Sequence, residues 1–276
     1  AFGPVFAETF PAAYTRKYWT CEPKELRTEW VGSRVFKPSV EDVIAGSKGP
    51  LNRQTHYIKK IRYPSKGGYQ SFAKKLAQGA RIHLQTTVVR IDLQGKKIWT
   101  SDGKLYAFKR LINTIPLPVF VKLCAAQEEV MRAAEGLSCS QLLLVNLMVN
   151  HPTARKENWM YVYDENKFST RINCTELLSP NNAPVGQTGI QVEVYHSRHR
   201  SLQQNREVIL NNVISECREM GLIEAKETKI NTMIRNVPWA NIIYTHETPN
   251  HLDQILSWLA AYGLERESDD LEPLTD

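Results

Sequence analysis

The chain has 276 residues, 42% hydrophobic and 23% charged, with a formal net charge of +6. That is enough for one large or two modest globular domains with a real core. It lacks both the ~18-residue apolar run that crosses a bilayer and the dense basic stripe of a nucleic-acid binder. Five cysteines, Cys21, Cys124, Cys139, Cys174 and Cys217, show no C-x-x-C spacing. They point to reduced thiols in a cytoplasmic protein rather than a disulfide framework. The start, AFGPVFAETF, has neither an initiator Met nor the basic n-region of a signal peptide, and the end at DDLEPLTD is abrupt. Both ends are expected to be cuts in a longer protein.

In chain order, Val5, Phe6, Phe10, Tyr14, Tyr18 and Trp19 recur at spacings that predict one helical face, with a break or kink expected at Pro11. EPKELRTEW predicts a short second helix. SVEDVIAG predicts a third, capped by Ser39 with Asp42 three residues on and stopped at Gly46. HYIKKIRY reads as a strand. GYQSFAKKLAQG reads as a helix with Phe72, Ala73 and Leu76 inward and Gly79 as terminator. RIHLQTTVVRID predicts a strand with Ile82, Leu84, Thr86 and Val88 on one face; DLQGKK is a hairpin turn, KIWTS a strand and DG a further turn. KRLINTIP reads as a buried strand, and PLPVFVKLC and EEVMRAAEG as helices.

From 138 to 200 the pattern changes to an antiparallel sheet. SCSQLLLVNLMVN, WMYVYD, FSTRINCTEL and GIQVEVYHS are strands joined by polar turns. Residues 202–220 predict an amphipathic helix through Leu202, Val208, Ile209, Val213 and Cys217. A strand pair is expected at 229–236 and 240–245, then a helix at about 249–262 ending at Gly263.

The chemistry-bearing residues are sparse. There is no G-x-G-x-x-G and no Walker loop. The seven histidines offer no convergent zinc set, and no Ser–His–Asp or Cys–His arrangement stands out by spacing. The basic clusters Arg16–Lys17 and Lys59–Lys60–Arg62 either meet an anionic small molecule or are solvated surface. RYPSKGGYQSF is the one unusual stretch: a Pro turn and the pair Gly67–Gly68 lead into a helix. Such a pair either makes a tight turn or lets a ligand approach bare backbone.

Seven pieces then line up in order: YTRKYW, PKELRTEWVGSRV, RYPSKGGY, LQTTVVRID, DGKLYAFKRLINTIPL, WMYVYDENKFSTRI and SPNNAP. The series resembles the flavin-dependent amine oxidase superfamily, which includes the protoporphyrinogen oxidases. Within it the chain is most similar to UDP-galactopyranose mutases of the eukaryotic type and related bacterial FAD proteins, over about residues 2–245.

The resemblance implies an α+β fold: an antiparallel substrate-domain sheet with flanking helices, plus part of an FAD-binding α/β domain. The expected division is 1–54, a helical part of the substrate domain; 55–118, a flavin-domain segment; 119–248, the substrate-binding sheet; and 249–276, a helix and tail returning to the flavin domain. It implies FAD as cofactor, bordered by Gly67, Gly68, Val88, Thr114 and Pro116. It implies a small-molecule substrate, a nucleotide sugar, lined by Trp19, Arg34, Tyr161 and Arg171, with the arginines on the diphosphate. It assigns no catalytic side chain, since the chemistry is the flavin's.

Three departures bear on the substrate. Thr15 stands where the mutase has an asparagine, Leu178 stands near where the mutase has a further pocket tyrosine, and Ala240–Tyr244 lacks the family's G-Y-P. The alternatives are a flavin oxidoreductase of the amine oxidase or protoporphyrinogen oxidase type, and a ligand-binding module without flavin. The dinucleotide fingerprint and the late flavin segment of the family are absent from the sequence, so the chain by itself is expected to hold FAD poorly.

Overall fold

The computed structural model describes residues 3–29, 31, 38–50 and 61–264. The chain divides into two compact units, each assembled from two separate stretches. The first comprises Ala1–Ala80 with Cys139–Ile243, the second Arg81–Ser138 with Tyr244–Asp276.

The first unit opens with α1 (Pro4–Ala7), one π turn over Glu8–Ala12, and α2 (Ala13–Tyr18). Pro11 lies inside the π turn. It does not break the helix as expected; the widened turn accommodates its ring and its missing N–H. The expected second helix is only a 3₁₀ turn, Pro23–Glu25, where the Glu25 carboxylate accepts from Glu22 N–H at 2.9 Å. Helix α3 (Val40–Lys48) has the predicted reciprocal cap between Ser39 and Asp42, 3.1 Å each way. It runs through Gly46 and stops at Gly49–Pro50, because one helical glycine costs only about 1 kcal/mol. Helix α4 (Gln70–Leu76) follows the glycine pair, but Phe72 and Leu76 are exposed rather than inward. Most of HYIKKIRY lies outside the described residues, and its last residues, 61–63, form no strand.

The second unit begins with the meander β1 (Val88–Asp92), β2 (Lys97–Thr100) and β3 (Leu105–Ala107). Gly95 N–H bonds the Asp92 carboxylate at 2.7 Å, closing the expected hairpin. The strand expected over RIHLQTTVVRID forms only in its second half, as β1, and the one expected over KRLINTIP does not form. Residues 81–87 are irregular, with Gln85 at φ +52° and Ile82 and Leu84 exposed. Residues 109–116 are irregular too, because the Asn113 side chain bonds both N–H and C=O of Ile115 at 3.1 Å, a local alternative to a ladder. Helices α5 (Leu117–Leu123) and α6 (Glu128–Gly136) form as predicted. They share a core with Ile91, Phe120, Val121, Ala133 and the later Ile255.

Next comes the sheet of the first unit. After β4 (Ser138–Cys139) run β5 (Gln141–Val149), β6 (Met160–Tyr161), β7 (Arg171–Cys174), the short α7 (Thr175–Leu178), β8 (Thr188–His196), α8 (Arg206–Glu219) and β9 (Asn231–Val237). The five strands are antiparallel, in order β6-β7-β8-β5-β9. β10 (Ile242–Ile243) pairs with β4, so the expected pairing of 229–236 with 240–245 is wrong: β9 joins β5 instead. Pro238 has no N–H to extend a hairpin, and the chain turns there.

Alternation in β5 and β8 divides the sheet. Leu143, Val145, Leu147, Val192 and Val194 point to one face and are buried against Ile209, Val213 and Cys217 of α8. Those three recur at i, i+4 and i+8, and Asn205 caps the helix through Val208 N–H at 2.9 Å. Each such side chain contributes about 1.5–3 kcal/mol on burial. The last helix, α9 (Thr248–Ala260), packs on α6, with the His251 ring where a Cβ on Gly136 would sit. Among the described residues no helix is long and apolar enough to cross a membrane.

Candidate functional site

The opposite face of the five-stranded sheet carries its polar side chains, beside Leu142, Leu144 and Met148. Register sets one row straight across it: Tyr161 of β6, Arg171 of β7, Glu193 of β8, Leu144 of β5 and Arg235 of β9. Direct antiparallel partners share a face, so Arg171 lies between Tyr161 and Glu193. Its guanidinium donates from Nε and Nη2 to the two Glu193 oxygens at 2.8 and 2.7 Å. Tyr195, two residues along β8, donates its hydroxyl to Glu193 Oε2 at 2.8 Å. Burial opposes the charge on Arg171, but Glu193 outweighs it and holds the guanidinium more firmly protonated than usual. Burial, then the Glu193 charge, pushes the Tyr195 hydroxyl well above the ordinary phenol range.

A second row runs Asn173–Gln191–Asn146. Asn173 bonds Gln191 at 3.5 Å, Gln191 bonds Asn146 at 3.0 Å, and Asn146 reaches Met233 O at 3.3 Å.

Helix α2 carries a run of aromatic rings to this face. Tyr14 and Tyr18, one turn apart, stack at 5.5 Å. Tyr14 meets the edge of Tyr161 at 5.5 Å, and Tyr18 packs on Tyr195 at 4.6 Å. Among the described residues the buried Tyr14 hydroxyl has no hydrogen-bond partner, nor has Asn173 Oδ1. Burial pushes the Tyr14 hydroxyl far up, against the pull of the Arg171 charge.

The turn that delivers Arg171 is held from two sides. Lys17 of α2, only 2% exposed, donates from Nζ to Asp164 O and Ser169 O, 2.7 Å each. Glu216 of α8 accepts from Phe168 N–H at 2.8 Å and Ser169 N–H at 2.9 Å, and from the Ser169 hydroxyl. Lys17 is therefore neither solvated surface nor a ligand hand; it clamps the approach to β7. Burial lowers its ammonium to about 8. A cleft of about 240 Å³ beside this turn is lined by Lys17, Lys167, Thr170 and Arg200 among others. Lys167 is paired with Glu219 at 2.5 Å and Arg200 donates to Arg16 O at 3.2 Å. We take the Arg171 face, not this cleft, as the candidate site.

The residues singled out in the sequence fall as follows. Tyr161 and Arg171 are direct partners. Trp19 caps α2, lies edge-on to Tyr18 at 5.0 Å, and packs on a small core of Cys21, Leu26 and Ile243. Arg34 lies outside the described residues.

Gly67 and Gly68, also in the first unit, have φ of +82° and +62°. A Cβ on Gly67 would lie 3.4 Å from Ser71, and on Gly68 no nearer than 3.9 Å to any atom, so conformation and not crowding calls for glycine. The turn is anchored by Ser65 O, which accepts from Ser179 Oγ at 2.7 Å and Asn181 Nδ2 at 2.6 Å.

Val88 begins β1, Thr114 is exposed, and Pro116 caps α5, all in the second unit. Glu193 and Tyr195 escaped the sequence reading, although QVEVYH shows their signal: a carboxylate and a phenol two residues apart on one face of a strand whose other face is valine.

The chain matches the family of flavin-containing amine oxidoreductases over residues 18–263. It belongs to that family. Among solved structures it is similar to a reduced UDP-galactopyranose mutase, with a TM-score of 0.84 at 18% identity, covering 96% of this chain and 59% of that one. It is also similar to a putative protoporphyrinogen oxidase from Exiguobacterium sp. 255-15, with a TM-score of 0.54 at 16% identity, covering 71% and 44%. The chain thus spans under two thirds of either structure, and at these identities the similarity is one of fold. No curated protein matches.

The α+β architecture with its antiparallel sheet agrees with the expected class. Gly67 and Gly68 present left-handed backbone bare of side chains, with ordinary contact distances to Ser71 and Tyr63, and such backbone is compatible with the approach of a flat group such as the family's flavin.

Proposed function

We propose that this chain is the substrate-side portion of an FAD-dependent enzyme, and that Arg171 receives the diphosphate of a nucleotide sugar in a reaction of the UDP-galactopyranose mutase kind. The observation that supports this best is the row itself: Arg171 stands beside Tyr161 on the polar sheet face, beneath the rings of α2, in a chain whose fold follows a mutase over 96% of its length.

In this reading Gly67, Gly68, Val88, Thr114 and Pro116 would hold FAD, with 55–118 as the flavin-domain segment, 1–54 and 119–248 as the substrate domain, and 249–276 returning to the flavin side. Bound FAD would supply the reactive ring that no side chain here can replace. The protein's own residues bind and orient. Arg171 and Arg34 place charge on the phosphates, where a charge-assisted hydrogen bond contributes about 1.5–3 kcal/mol. Tyr161 and Trp19 offer flat surfaces that exclude water. A cytoplasmic location belongs to the same proposal.

The test is kinetic, on the FAD-loaded enzyme carrying this sequence. Arg171→Ala should raise KM for UDP-galactopyranose well over tenfold, with no oxygen consumed by the parent enzyme. An unchanged KM sinks the assignment.

A second reading is a flavin oxidoreductase of the amine oxidase or protoporphyrinogen oxidase type. What favours it is Glu193, which already neutralises Arg171, together with Leu178 and Thr15 at positions where the mutase differs. Substrate-dependent oxygen uptake or flavin bleaching would select it.

A further inference from the structure

We propose that Glu193 is a built-in counter-anion that sets which charges the Arg171 site accepts: its carboxylate occupies one of the two guanidinium edges, so a polyanion that needs both binds only by displacing it. This deepens the reading of Arg171 as an anion seat and rests on it.

An arginine holds carboxylate or phosphate most strongly through a bidentate edge, and the Nε–Nη2 edge of Arg171 is fully engaged at 2.8 and 2.7 Å. The occupant is not a loose surface partner, since the Glu193 side chain is 10% exposed and is held by a third donor, the Tyr195 hydroxyl, at 2.8 Å. Exposed pairs exchange freely with water; one fixed this way does not.

What remains for a ligand is the outer edge of the guanidinium, formed by Nη1 and the second N–H of Nη2. The Tyr14 ring stands beside Tyr161, the direct partner of Arg171, and among the described residues its buried hydroxyl has no hydrogen-bond partner. The outer edge suits one carboxylate, one phosphoryl oxygen pair or a sugar hydroxyl. A diphosphate that needs both edges competes with Glu193 for one of them.

Isothermal titration of the chain with inorganic pyrophosphate tests this. Glu193→Gln keeps the shape and an acceptor for Tyr195 but removes the charge. It should bind pyrophosphate at least tenfold more tightly than the parent, and Arg171→Met placed on top of it should abolish the gain. If the parent binds pyrophosphate in an Arg171-dependent way and Glu193→Gln binds equally or more weakly, the counter-anion role is wrong while the anion seat stands. If neither protein shows Arg171-dependent binding, the seat itself is wrong and the inference falls with it. Should Glu193→Gln fail to fold, Glu193→Asp serves in its place: the shorter carboxylate withdraws from the fork and should also tighten binding, and no tightening overturns the proposal.

Discussion

The sheet of the first unit and the helices α3 and α4 of the same unit are both written as amphipathic elements, yet they end up differently. Ile209 and Val213 of α8 are 1% and 0% exposed against the sheet, while Leu76 of α4 is 85% exposed and Val43 of α3 is 53% exposed. Helices α4 and α8 both carry apolar residues at helical spacing. An apolar stripe states that a face gains from being covered; it does not carry its own cover. In α8 the cover is a sheet from the same chain, whereas among the described residues nothing buries the stripes of α3 and α4.

The contrast can be attacked by substitution. Ile209→Ala should lower the free energy of unfolding by about 4 kcal/mol, from lost burial plus the cavity left behind, measured by urea denaturation. If the loss is under about 1 kcal/mol, the α8 side of the sheet is not the dominant core.

The next effect is pH-dependent. Lys17 titrates near 8 when folded against 10.5 as a free side chain. Between those values the unfolded chain binds the extra proton more readily, so this group's contribution to stability rises with pH. The penalty is full below 8 and gone above 10.5. Relative to Lys17→Met, which has no such titration, the parent should gain about 3 kcal/mol between pH 7 and pH 11. Comparing the pair cancels the cysteines and tyrosines that titrate in the same window. A flat difference would mean that the ammonium is solvated.

Glu216→Ala removes the acceptor of two backbone N–H groups and a hydroxyl at the entry to β7. It should cost about 2 kcal/mol and also weaken any ligand held by Arg171, through the loosened turn. The smallest effect is expected at Leu76→Ala, within about 0.5 kcal/mol. A larger loss would show that α4 is covered in solution and would erase the contrast.

These elements also show why some of the fold was legible and some was not. The two-residue period of LLLVNLMV and QVEVYH, the four-residue period of α8, the Ser39–Asp42 cap and the Asp92–Gly95 turn are local signals, and they produced the expected elements. RIHLQTTV carries the same apolar alternation and KRLINTIP a short apolar run, but both need neighbouring strands. Without them, Asn113 closes on its own backbone and Ile82 and Leu84 stay in water.

The site divides in the same way. Arg171 and Tyr161 emerged through motifs, which record position in the chain. Glu193 became visible only through the register of β7 on β8, which no spacing along one strand contains. Lys17 looked like half of a surface cluster, because a tie to two carbonyls about 150 residues away leaves no trace beside it.

The interleaving of the two units has a consequence for the order in which the protein can be made. The sheet places β5 between β8 and β9, and the core around α6 includes Ile255 and Leu259 of α9. A chain emerging from the ribosome therefore completes neither unit until nearly all of the described sequence is out. Long sequence separations slow the search for native contacts, and open strand edges are exposed to other chains meanwhile. Release of the segment from β8 to α9, rather than of the first hundred residues described, is what lets these two units close.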